Sequence, residues 1–176
     1  NRIDSTNSIE RPIFVRAQVA PGNFSTGQFA IYFGKTGTPE AGNLVFLRAT
    51  ESSSHQIKSD GKTWIANQWY HVAAVLHPQN GMQLFVNGVL QQEIEASTDP
   101  VYMRIEGTTG PLFLGKWGSV GGYGIAAEFD EVRFYDYAVS EVEIRTGMCQ
   151  TVSSGNLKGY YNFDNASSVY VPTTAG

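Results

Sequence analysis

The apolar positions along this chain recur mostly every second residue, in short runs broken by Gly, Pro and Asn-Gly. That period of two is the signature of strands with one face buried. The clearest stretch runs from Trp69 to Gly88. Trp69 to Leu76 is aromatic, β-branched, small or apolar except at His71, and Pro78-Gln79-Asn80-Gly81 forms a turn cluster whose Asn-Gly tolerates the positive φ of a tight reversal. Met82, Leu84 and Val86 then alternate with Gln83, Phe85 and Asn87. A second Asn-Gly, Asn87-Gly88, returns the chain through Val89 to Ile94, so a three-stranded meander is predicted, with Asn87-Gly88 as a two-residue primed turn.

The same pattern extends in both directions. Asn1 to Glu10 is a polar lead-in. Arg11 to Ala20 reads as a strand with Ile13, Val15, Ala17 and Val19 on one face and Phe14, Arg16 and Gln18 on the other. Gln28 to Gly34 returns with Phe29, Ile31 and Phe33 in phase, Gly34 to Gly42 is a loop, and Asn43 to Ala49 and His55 to Lys58 are further strands. Beyond the meander, a short strand is placed at Val101 to Ile105, and others at Pro111 to Lys116, Ala127 to Asp136 and Asn156 to Asp164. Ser140-Glu141-Val142-Glu143 matches a capping box, which predicts one short helix over residues 140–146.

Composition narrows the class. The 176 residues carry 10 Phe, 9 Tyr, 3 Trp and 19 Gly, a balance that suits many short strands and tight turns. A chain of this length buries enough surface for one all-β domain. The net charge of −4 comes without any Lys/Arg cluster, so a nucleic-acid partner has no electrostatic footprint. No run of eighteen apolar residues is present, which argues against a membrane-spanning helix. Cys149 is the single cysteine, so neither an internal disulfide nor a cysteine-based metal site can form. Asn23-Phe24-Ser25 and Asn165-Ala166-Ser167 match the N-glycosylation acceptor pattern, which is short enough to arise by chance.

Five ordered motifs are similar to a known family: Trp69-Tyr-His-Val-Ala-Ala-Val75, Leu84-Phe-Val-Asn-Gly88, Leu112-Phe-Leu-Gly115, Phe129-Asp-Glu-Val-Arg-Phe-Tyr135 and Val139-Ser-Glu-Val-Glu-Ile144. Together they resemble the laminin G-like domains of the concanavalin A-like lectin/glucanase superfamily, over roughly Arg11 to Asp164. The resemblance implies an all-β fold, a two-sheet antiparallel β-sandwich of jelly-roll type, in one domain over residues 1–176 that belongs to a larger extracellular or cell-surface protein. It implies a non-catalytic carbohydrate-binding or adhesive module whose partner is a glycan or polysaccharide, or another extracellular protein. The alternative is a protein-interaction or spacer module without a sugar site, since the fold does not fix the ligand. The family also allows calcium, for which Asp130 is the one candidate ligand. The rival reading of Asp130 is a carboxylate satisfied by backbone amides or a hydroxyl, because an unpaired buried carboxylate is costly.

Candidate chemistry follows from the aromatics. A sugar ring stacks its C–H face on Trp or Tyr while Asn, Asp and backbone groups take its hydroxyls. Trp117 and Tyr123 flank the Gly118, Gly121, Gly122 and Gly124 loop, and Trp64 precedes the central hairpin. These three are the predicted carbohydrate-binding residues, with Asn67, Gln68 and Ser119 as polar neighbours, and the rival reading has their rings merely fold over the loop's own backbone. Trp69 and His71 are read as scaffold of the hairpin. Hydrolysis on this fold needs acids on one strand face at alternate positions. Glu128-Phe129-Asp130-Glu131 breaks that comb, because position 132 is Val and 133 is Arg. His55, His71 and His77 have no nucleophile elbow beside them.

Overall fold

A computed structural model of the chain describes residues 9–16, 28–49, 54–61, 64–77, 81–94, 111–118, 124–150 and 157–164. The elements in chain order are β1 (Arg11–Arg16), β2 (Gln28–Phe33), β3 (Leu44–Ala49), β4 (Ser54–Lys58), β5 (Val72–His77), β6 (Gly81–Val86), β7 (Val89–Ile94), β8 (Leu112–Leu114), β9 (Val132–Tyr135), α1 (Glu141–Gly147) and β10 (Leu157–Tyr161). The chain divides into two compact units, residues 1–126 and residues 127–176.

The first unit is a two-sheet antiparallel sandwich. A five-stranded sheet runs in the order β4-β3-β2-β1-β8, and β5-β6-β7 form the predicted meander. Phe33, Leu44, Phe46 and Ile57 from the larger sheet pack with Met82, Leu84 and Val86 from the smaller one, and with Trp64. The opposite face of the larger sheet is also covered: Val15, Ala30, Tyr32, Val45, Leu47 and Ala49 pack with Trp117. Strand β3 is therefore buried at all six positions, Arg48 included, which is why Leu44-Val45-Phe46-Leu47 runs apolar without alternating.

β1 departs from the simple alternation. Arg11 and Pro12 pair with Phe33 and Tyr32, but Phe14 pairs with Ile31, so Ile13 is the extra residue of a bulge. Ile13 packs toward the inter-sheet core while Val15 lies in the outer cluster, which separates two residues the alternation puts on one face. Phe14 stacks on Phe29 at 5.5 Å. After β2, Gly34 permits a close return of the loop: a Cβ there would lie 2.2 Å from the Glu40 carbonyl oxygen.

The central hairpin begins later than its sequence suggests. β5 starts at Val72, so Trp69, Tyr70 and His71 form its entry rather than strand. Asn87 (φ 51°) and Gly88 (φ 72°) both adopt positive φ, as a two-residue primed turn requires.

The second unit pairs β9 with β10 antiparallel and carries α1. The capping box is complete: Ser140 Oγ accepts from the Glu143 amide, and the Glu143 carboxylate accepts from the Ser140 amide. At the far end, Arg133 donates from Nη1 to the Gly147 carbonyl at 2.7 Å and from Nη2 to the Gln150 carbonyl at 2.6 Å, placing a cation against carbonyls at the helix C-terminus. The predicted strand from Ala127 is shortened to four residues because Glu131 has φ 54°, which stops the alternation before Asp130. The predicted strand at Val101 to Ile105 lies outside the described residues.

Candidate functional site

The loop from Trp64 to His71 is fixed at both ends and projects in the middle. At its start the Trp64 indole is buried, donates from Nε1 to the Gly42 carbonyl at 3.0 Å, and packs edge-on against Phe33 and Tyr70 with centroids 4.9 and 4.8 Å away. Tyr70 turns inward, and its hydroxyl accepts from the Ile65 amide at 3.0 Å. At its end His71 donates its amide to Asn87 Oδ1 and accepts from the Asn87 amide. Between these anchors Asn67 takes φ 60° and reverses the chain.

The consequence is an outward-facing segment, with all residues from Ile65 to Trp69 exposed. Ile65 and Trp69 are each 61 % exposed. An indole held so far into solvent gains little for folding, since full burial of such a ring is worth a few kcal/mol. The loop itself is short and pinned by hydrogen bonds, so the ring is presented on a preorganised backbone, which lowers the ordering cost of binding.

The predicted aromatic residues are placed differently. Trp117 is 1 % exposed and lies with Tyr32 in the outer cluster, ring centroids 5.7 Å apart. Trp64 is 5 % exposed and belongs to the inter-sheet core. The expectation that these two rings are exposed is corrected: a ring enclosed to this degree has no face to offer a sugar. The physical reason is local. Gly115 (φ 72°) and Gly118 (φ 46°) turn the chain on either side of Trp117, so the glycines fold the indole onto the sheet rather than freeing it. Tyr123 and Ser119 lie outside the described residues, whereas Asn67 and Gln68 share the exposed loop with Trp69.

Trp69 is the residue that sequence reading assigned to the scaffold. The alternation continues through it from β5, and only the later start of the strand shows that it stands outside the sheet. Among the described residues of the second unit, the large exposed rings are Tyr137 and Phe163. Tyr137 donates to the Glu143 carboxylate, and Phe163 stacks on Tyr161. Both are smaller than the Trp69 indole, and Asp136 and Asp164 stand next to them in sequence.

Asp130 and Glu131, the acids of the broken comb, are engaged by neighbouring groups. Asp130 is exposed, and its Oδ1 accepts from the Glu131 amide at 2.8 Å, the backbone-amide arrangement weighed above as the alternative to calcium. Glu131 forms an ion pair with Arg133 and accepts from the Tyr160 hydroxyl at 2.6 Å. The Tyr160 hydrogen bond, with Arg133 adding to it, outweighs partial burial and holds the Glu131 carboxyl below its ordinary value, whereas an acid catalyst needs its value raised. Among the described residues no group of three His, Cys, Asp or Glu side chains is placed to hold a metal ion. Among the same residues, no helix is long and apolar enough to cross a membrane.

Comparison with known proteins agrees with this architecture. A laminin G-type family model, described as concanavalin A-like lectin/glucanases superfamily, matches residues 2–145. A solved structure from Bacteroides ovatus, named a "putative carbohydrate binding protein", superposes with a TM-score of 0.61 at 17 % identity, covering 94 % of this chain and 49 % of its own. The chain thus spans about half the length of that protein. An S-layer domain-containing protein from Clostridium thermocellum (residues 221–444) aligns at a TM-score of 0.38 and 21 % identity, covering 80 % of this chain and 63 % of its own. No curated protein matches. With the family model covering residues 2–145 and the two-sheet antiparallel sandwich in place, this chain belongs to the concanavalin A-like lectin/glucanases superfamily.

Proposed function

We propose that this chain is a non-catalytic carbohydrate-binding module of an extracellular or cell-surface protein, and that its sugar platform is the exposed indole of Trp69. The observation that carries the reading is the placement of Trp69, 61 % exposed on a loop pinned at Trp64, Tyr70 and His71. Asn67 and Gln68, exposed beside it in the chain, supply amide donors and acceptors for sugar hydroxyls. The superfamily and the Bacteroides ovatus protein named for carbohydrate binding support the reading.

A single shallow platform binds modestly, with dissociation constants of roughly millimolar to micromolar, or about −4 to −8 kcal/mol. Tight attachment then comes from neighbouring modules acting together. The test is a glycan array probed with the parent chain and with Trp69→Ala. The parent should retain a defined set of glycans and the variant should lose it, while incubation with the same glycans should release no new reducing ends. Equal retention by the variant, or turnover, would refute the proposal.

A further inference from the structure

The Trp69 platform lies in a stretch without formal charge. From Trp64 to Gln92 the sequence contains no Asp, Glu, Lys or Arg, and this stretch supplies the loop, β5, β6, the Asn87-Gly88 turn and most of β7. The turn beside the loop brings Asn87 and the exposed Val89, again without charge. We infer, building on the reading of Trp69 as a sugar platform, that the site takes neutral saccharides with an accessible apolar face and discriminates against uronate or sulfated glycans.

Among the described residues, the charges whose recorded hydrogen bonds or strand pairings reach this stretch are Glu93 and Lys58. Glu93 pairs across to Gln83, which pairs to Val75. That rung is three residues along from the Val72–Val86–Val89 rung where the loop enters, a separation of about 10 Å. The Glu93 carboxylate accepts from Gln83 Nε2 at 2.9 Å. The Lys58 backbone reaches Gln92, but its ammonium donates to the Pro39 carbonyl at 3.0 Å. Asp60, four residues before Trp64, is exposed, so the nearest described charges on either side of the stretch in sequence, Asp60 and Glu93, are both acidic. Lys62 lies outside the described residues.

An anionic sugar stacked on Trp69 would lose hydration without gaining a charge-assisted partner from this stretch. A neutral ring avoids that penalty: its C–H face covers the indole, and its hydroxyls meet neutral amides that both donate and accept. The absence of an ionic contribution also makes the affinity insensitive to salt.

The experiment titrates the 176-residue chain with two sets of hexasaccharides. The neutral set holds β-1,4-glucan, β-1,3-glucan, β-1,4-xylan, β-1,4-mannan and β-1,4-galactan; the anionic set holds mannuronate, guluronate and galacturonate. Tryptophan fluorescence is read in low and high salt, with Trp69→Phe as the control for the responding ring. At least one neutral oligomer should bind about tenfold more tightly than any uronate, with an affinity unchanged by salt and a response that Trp69→Phe removes or weakens. A uronate that binds as well or better through Trp69, more weakly in high salt, overturns the inference while leaving a sugar platform in place. If no oligomer of either set perturbs Trp69, the platform reading fails and the inference falls with it.

Discussion

The Asn87 amide donates to the His71 carbonyl at 2.8 Å, and the Asn87 side-chain oxygen accepts from the His71 amide at 2.9 Å. One residue thus performs two tasks: it takes positive φ in the β6–β7 turn and fixes the end of the loop carrying Trp69.

Substitutions at Asn87 should separate those tasks. Asn87→Val forces a β-branched residue to positive φ and should cost roughly 1–3 kcal/mol. Asn87→Gly keeps the backbone freedom but loses the bond to His71, for an intermediate cost of about 1 kcal/mol. Asn87→Asp retains both an acceptor and tolerance of positive φ, and should stay close to the parent. Chemical denaturation ranks the three; a Val variant as stable as the parent would contradict the account.

Trp117 should behave as core. Trp117→Ala empties a fully enclosed site against Tyr32 and the outer face of the five-stranded sheet, and should destabilise by roughly 3–5 kcal/mol. A melting temperature near that of the parent would place the indole outside the core.

Gly34 should resist substitution on steric grounds alone. Its absent Cβ makes room for the Glu40 backbone, next to the Gly34–Ala41 bridge. Gly34→Ala should cost roughly 1–3 kcal/mol as the loop is pushed away. Unchanged stability in a denaturant melt would mean that the loop gives way freely.

Stability should fall on the acid side through Glu131. Its folded pKa lies below the ordinary 4.5, first because Tyr160 donates to it and further because of Arg133. The ionised form is therefore favoured in the folded state, so the stabilisation is present above the unfolded value and is lost as pH falls through the folded one. Tyr160→Phe should lower the melting temperature near neutral pH, and its difference from the parent should shrink below about pH 4. A difference independent of pH would assign the effect to packing.

Most of the fold is legible in the sequence because its signals are local. The Asn87-Gly88 turn, the Ser140–Glu143 capping box and the phase of Phe29, Ile31 and Phe33 each depend on neighbouring residues, and the structure holds all three. Local pattern fails where a single residue interrupts it. The bulge at Ile13 parts it from Val15, and positive φ at Glu131 makes β9 begin late, at Val132. The site was the least legible part. Glycines around Trp117 look like freedom but act as turns that bury the ring, and Trp69 continues an apolar alternation yet precedes the strand. Exposure depends on where β5 begins and on which neighbours, Trp64 and Tyr70, turn inward.

The most direct measurement follows the three tryptophan indole N–H signals by heteronuclear NMR, assigned by single Trp→Phe variants, during titration with the saccharide that the glycan array selects. The account predicts that the Trp69 signal moves in a saturable way while the buried Trp64 and Trp117 signals stay nearly fixed. A saturable shift confined to Trp64 or Trp117, or no shift of Trp69 while the saccharide binds, would contradict it.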